Sequence, residues 1–152
     1  MRVDTISRYL AQDHQRLDAL VARYFEASTR DTARAAELFF QYRDGLVRHM
    51  LWEEEILFPL HERNFGPAGD ATLASVKDEH RVIEQLLEFA AAQVRLGSPG
   101  APNEVRRLEA VMTRHEEHEM NVLYPEFDKA ISDRDVLHLI RSMDDLPERR
   151  NM

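Results

Sequence analysis

The sequence predicts an all-α fold: an up-down-up-down four-helix bundle followed by a short C-terminal fifth helix. Three observations predict it. Apolar residues recur at spacings of three, four and seven along four long segments, the pattern of a helix with one buried face. No segment alternates apolar and polar residues with period two between hairpin turns, so no sheet is expected. The breaks between the long segments are short clusters rich in Gly, Pro, Asn and Ser, and short links make consecutive helices antiparallel neighbours.

The first helix carries Ile6, Leu10, Leu17, Leu20, Val21, Tyr24 and Phe25 on one stripe and ends near Ser28-Thr29-Arg30. Asp31 or Thr32 caps the second, whose apolar positions Ala35, Leu38, Phe39, Tyr42, Leu46, Ile56 and Leu57 run to about Arg63. The run Asn64-Phe65-Gly66-Pro67-Ala68-Gly69 breaks it. Asp70 opens a third helix with Leu73, Val76, Ile83, Leu86, Leu87 and Val94, which stops at Gly97-Ser98-Pro99-Gly100-Ala101-Pro102. Asn103 is expected to cap the fourth, with Val105, Leu108, Met112, Val122 and Leu123, and Ser132-Asp133 starts a short fifth helix through Met143. Residues 1–146 are thus expected to form one domain of two helical hairpins, about 4–64 and 70–131, plus helix 132–144, with 147–152 a polar tail. Pro59 and Pro125 lie inside helices and are expected to kink them.

Composition narrows the function. A chain of 152 residues is long enough for one sizeable core. Its net charge of −8 argues against a nucleic-acid partner or an anionic membrane surface. With no cysteine there is no disulfide, thiolate metal site or cysteine nucleophile, so any metal must sit on His, Asp and Glu. No apolar leader or run long enough to span a bilayer is seen, and a cytoplasmic location is expected.

An internal repeat selects the chemistry. His80 follows His14, His115 follows His49, Glu119 follows Glu53 and Pro125 follows Pro59, each by the same 66 residues. The unit is a helical hairpin used twice. In an antiparallel hairpin, residues at one level are equidistant from the turn. The midpoints of His14 and His49, of His80 and His115, and of Glu53 and His80 all fall in predicted connections, so the four histidines share one level. Each His-x-x-x-Glu pair sits about one turn apart on one helix face. Glu53 is chosen over Glu54 and Glu55 because their repeat mates are Met120 and Asn121.

Four imidazoles and two carboxylates, converging without sulfur, suit a pair of borderline divalent ions such as iron, manganese or zinc. His14 and His49 are assigned to one ion, His80 and His115 to the other, with Glu53 and Glu119 spanning both and cancelling charge in a buried site. Positions remain for a bridging oxo or hydroxo group and an exogenous ligand. The other histidines lack matching partners: His61 aligns with Phe127, His118 with Trp52, and His138 is read as a surface residue of the fifth helix. His115 and His118 are three apart, not the four of a zinc-protease helix, and no Glu-x-x-His pair of the ferritin type is present. Phe39, Phe40 and Phe58 are read as core.

A lone His followed by His-x-x-x-Glu, twice over, with Leu57-Phe58-Pro59 and Leu123-Tyr124-Pro125 after each, resembles the hemerythrin-like, HHE cation-binding family over about residues 4 to 131. The resemblance implies two iron ions in a non-haem, carboxylate-bridged, oxo- or hydroxo-bridged centre, with dioxygen, peroxide or nitric oxide as small ligand. It implies a binding protein that senses or buffers its ligand; the alternatives are a peroxidase- or catalase-like or nitric-oxide-handling enzyme, and a metal-stabilised structural module. Oxygen-carrying members have a further histidine where this chain has Glu84, which is left as an extra ligand, an acceptor for a ligand, or a solvated residue; its repeat mate is Asp18.

Overall fold

The computed structural model describes residues 5–146, and they are helical almost throughout, with no strand among them. The tail expected at 147–152 lies outside the described residues. Helix α1, Ile6–Ser28, is capped by the Thr5 side chain, and α2, Thr32–Leu51, by that of Asp31, which accepts from the Arg34 amide. Helix α2 runs through a π-helical turn, Trp52–Leu57, into α3, Phe58–Phe65. A 3₁₀ turn at Gly66–Gly69 leads to α4, Asp70–Arg95. Helix α5, Ala101–His118, passes through a second π-helical turn, Glu119–Leu123, into α6, Tyr124–Ala130, and α7 spans Asp133–Asp144. Counting the interrupted rods as one each gives four long helices and a short fifth.

Two details differ from the sequence reading. The fourth rod starts at Ala101 after Gly100, so Asn103 lies inside its first turn. Pro102 takes a first-turn position, where its fixed φ fits and its missing N–H costs nothing, and Asn103 accepts instead from Arg106 at 3.1 Å. Ahead of the prolines there are π-helical turns. A helical proline ring clashes with the carbonyl four residues back; those carbonyls belong to Glu55 and Asn121, each inside a π-helical turn. Widening there lets Phe58 N–H bond to the Glu53 carbonyl and Tyr124 N–H to that of Glu119, both five residues back.

Helices α1 and α2 pack together, as do α4 and α5; α2 also meets α4, and α6 meets both α1 and α3. Two apolar clusters form the core. One, towards the α1–α2 and α4–α5 turns, is built around Leu17, Phe39, Leu46, Ile83 and Leu108. The other is built around Leu10, Trp52, Phe58, Val76 and Phe127 and includes Val136 and Met143 of α7. Trp52 Nε1 donates to the Met143 carbonyl at 2.8 Å, fastening α7 to the first π-helical turn. The residues between the clusters in sequence, around 14, 49–53, 80 and 115–119, form a polar layer across the bundle.

The end beyond this layer is tightly fitted. A Cβ at Gly69 would collide with Cε1 of the buried His61, whose Nε2 is held by Glu126 at 2.6 Å. Gly69→Ala is therefore expected to destabilise the protein by about 1–3 kcal/mol, the usual cost of overpacking, read as a lower denaturant midpoint with unchanged slope.

Candidate metal centre

Each rod contributes to the polar layer: His14 from α1, His49 and Glu53 from α2 and its π-helical turn, His80 from α4, and His115 and Glu119 from α5 and the second turn. All six are buried, and both glutamates are fully so. One candidate ligand atom from each of His14, His49, Glu53 and Glu119 falls within 4.8 Å of all the others, and the same holds for Glu53, His80, His115 and Glu119. The two groups share the glutamates. Glu53 Oε2 lies 3.3 Å from His49 Nε2 while Oε1 lies 3.0 Å from His80 Nε2, so one carboxylate faces both groups. Glu119 Oε1 lies 3.2 Å from both His14 Nε2 and His115 Nε2. Two ligand atoms bound at right angles, each about 2.1 Å from one ion, are about 3.0 Å apart. The separations are those of neighbouring ligands.

Hydrogen bonding points the same way. Glu53 Oε1, Glu119 Oε2 and His80 Nε2 are buried without a hydrogen-bond partner, although the first and third are only 3.0 Å apart. These atoms are close without being aimed at each other. Leaving one such atom unsatisfied costs about 1–3 kcal/mol, and a buried cluster of them fits a cation as the missing partner.

Three of the four opposite ring nitrogens are hydrogen-bonded, and the fourth, His14 Nδ1, has a carboxylate beside it without a formed hydrogen bond. His49 Nδ1–H donates to Asp13 at 2.8 Å, His80 Nδ1–H to Glu54 at 2.6 Å and His115 Nδ1–H to Glu79 at 2.6 Å, while Glu116 faces His14 Nδ1 at 3.1 Å. A carboxylate on Nδ1 fixes the tautomer that presents the Nε2 lone pair and raises its basicity. Sequence reasoning missed all four carboxylates. Asp13 and Glu79 had a signal, since they are repeat mates 66 residues apart. Glu54 and Glu116 had none, because their mates are Met120 and Met50.

Charge follows from this setting. Burial disfavours a charged His14, but its interactions with the accepting carboxylates of Glu116 and Glu119 outweigh it and push its pKa up to about 10. At His80 burial is likewise overcome, by Glu119, Glu53 and Glu54, and its pKa is pushed up to about 12. His49 and His115 are also raised against burial. Burial would lift Glu119, yet the surrounding histidines hold it well below its ordinary value. Asp13 is lowered against burial by His49.

Tyr124 is the other residue the sequence reading passed over. Its hydroxyl is 2.7 Å from His14 Nε2, 3.1 Å from His49 Nε2, 2.7 Å from Glu53 Oε2 and 2.9 Å from Glu119 Oε1. In a regular α-helix five residues turn about 500°, which would leave Tyr124 about 140° from Glu119. The π-helical turn brings it back over that residue.

The remaining candidates lie elsewhere. His61 is buried against Glu126, His118 Nδ1–H donates to Glu79 at 2.7 Å, and His138 and Glu84 are exposed. None of these, nor Asp18, belongs to either four-residue group. No helix among the described residues is long and apolar enough to cross a membrane.

The profile of the Hemerythrin HHE cation binding domain matches residues 5–127. An uncharacterised hemerythrin-like protein of Schizosaccharomyces pombe is 23% identical over 146 residues, covering 94% of this chain and 69% of that protein. A DNA nickase of Nostoc sp. is 29% identical over 122 residues; the match covers 78% of this chain but only 32% of the nickase. No solved structure matches the chain significantly. The family match spans most of the chain, and a buried cluster of histidines and glutamates fits the binding of metal cations. The chain belongs to the hemerythrin HHE cation-binding domain family.

Proposed function

We propose that this protein is a non-haem di-iron protein that binds dioxygen or a related small ligand, peroxide or nitric oxide, for sensing or buffering. The observation that carries the reading is the pair of buried four-residue sets, two histidines each, that share the same two carboxylates. His14 and His49 would hold one ion and His80 and His115 the other, with Glu53 and Glu119 available to both. When bound, an iron pair supplies ferrous and ferric states and a position at which a small ligand is held.

The chain's own residues do the rest. Asp13, Glu54, Glu79 and Glu116 keep the four rings oriented with Nε2 towards the centre. Glu53 and Glu119 place two negative charges where no water competes, both being fully buried. Trp52 and Phe58, each buried, flank His49 and His80 at ring separations of 5.7 and 5.9 Å and keep that side apolar.

Metal content and the visible spectrum test this on protein purified without oxygen. Two irons per chain and a new visible absorption on exposure to air, reversed when oxygen is removed, are expected. Continuous peroxide consumption would favour the enzyme, and zinc with a silent spectrum would leave a structural module.

A further inference from the structure

We propose that Tyr124 supplies a phenolic oxygen to the ion at His14 and His49, so that the two metal positions are unequal and the exogenous ligand is taken at the His80/His115 position. The inference rests on the two-ion reading above and deepens it. Four candidate ligand atoms surround the Tyr124 hydroxyl oxygen at 2.7–3.1 Å: Nε2 of His14 and His49, Oε2 of Glu53 and Oε1 of Glu119. The four distances bracket the roughly 3.0 Å expected between neighbouring ligands on one ion, so the phenolic oxygen is spaced as a further member of that set.

The internal repeat isolates the effect. The mate of Tyr124 is Phe58, at the same place after the other π-helical turn. Its ring stacks on His80 at 5.9 Å and 17° and offers no donor atom. The two halves of the centre therefore differ by one oxygen. The Tyr124 ring is fully buried and stacked on both His14, at 5.8 Å, and Phe127, at 6.0 Å, so the hydroxyl is held in place. The ion at His14 and His49 gains a fifth protein donor. The ion at His80 and His115 has one fewer and keeps the open position. On coordination the phenol O–H bond breaks as the oxygen–metal bond forms, and the proton leaves to solvent; no oxidant is needed.

Resonance Raman spectroscopy of the ferric protein tests it, excited in the phenolate-to-iron charge-transfer region of the visible spectrum. Phenolate vibrations that shift when the wild-type chain is made with ring-deuterated tyrosine are expected. In Tyr124→Phe, the residue the other half already uses, both the band and the vibrations should vanish while two irons and the helical circular dichroism persist. An independent readout is zinc titration of the metal-free protein: two separable steps in wild type, converging in Tyr124→Phe as the tighter one weakens about tenfold or more. Two irons with no tyrosine vibrations would overturn the tyrosine assignment and leave the iron pair intact. Fewer than two ions in wild type would overturn both.

Discussion

Glu53→Ala is expected to remove both metal ions, taking the content from two per chain to nearly none. His14→Ala or His80→Ala should each remove only one. The difference follows from where the carboxylate lies. One Glu53 oxygen is 3.3 Å from His49 and 2.7 Å from the Tyr124 hydroxyl, and the other is 3.0 Å from His80, so the side chain serves both groups. Its loss also leaves two divalent ions facing Glu119 as the one remaining carboxylate of the shared pair, in a fully buried setting where uncompensated charge is severely penalised. Glu54 is the control, one residue further on. Its carboxylate holds His80 through Nδ1 at 2.6 Å and belongs to neither group of converging atoms. Glu54→Ala should keep both ions and weaken binding about 10- to 100-fold, the usual effect of losing the partner that orients a metal-bound histidine. Elemental analysis after dialysis against a chelator series separates the two outcomes. A Glu53→Ala protein that keeps one tightly bound ion would rule out the bridging role. Folding is not expected to confuse the reading, because apolar clusters lie on both sides of the polar layer and Ala is the best helix former.

The contrast between Glu53 and Glu54 also shows what sequence can and cannot reveal here. Helix positions were legible because burial at period 3.6 leaves a stripe, as at Ile6, Leu10 and Leu17, all buried in the structure. The six residues that converge were legible because duplication preserves spacing, and the hairpin midpoint rule places them at one level. What duplication has not preserved was hidden. Glu54 and Glu116 serve His80 and His14 from positions whose mates are methionines, so an argument from symmetry passes over them. Tyr124 was hidden for a different reason. At α-helical pitch it points away from Glu119, and only the π-helical turn, widened to relieve the clash of Pro125 with the carbonyl at Asn121, brings it to the centre. The helix start at Ala101 was missed because an apt capping residue, Asn103, outweighed the stronger preference of Pro102 for the first turn.

Metal uptake is expected to release protons and to strengthen steeply with pH. In the metal-free protein His14 and His80, with pKa values raised to about 10 and about 12, carry protons at neutral pH. A cation binding at Nε2 must displace them. One displaced proton at each ion makes each apparent affinity rise by about 10-fold per pH unit, about 100-fold for loading the pair, while both groups remain protonated in the free protein. The stability of the metal-free form runs the other way. A histidine whose pKa is higher folded than unfolded contributes stability that is complete below its ordinary 6.5 and is lost as pH climbs through the folded value, here towards 10 and beyond. The lowered carboxyls, Glu119 and Asp13, contribute above their ordinary 4.5 and 3.8 and lose it as pH falls. Metal-free protein should therefore melt highest in mildly acidic solution and lower towards pH 9, whereas the loaded protein should hold its melting temperature over the same range because cations have replaced the protons that leave. Melting curves of both forms from pH 5 to 9, with proton release measured in weakly buffered solution during zinc addition, check both halves of the prediction. A metal-free form that grows more stable from pH 6.5 to 9, or loading without proton release at pH 7, would mean that the histidines are neutral before any ion arrives and that the carboxylates on Nδ1 orient the rings without charging them.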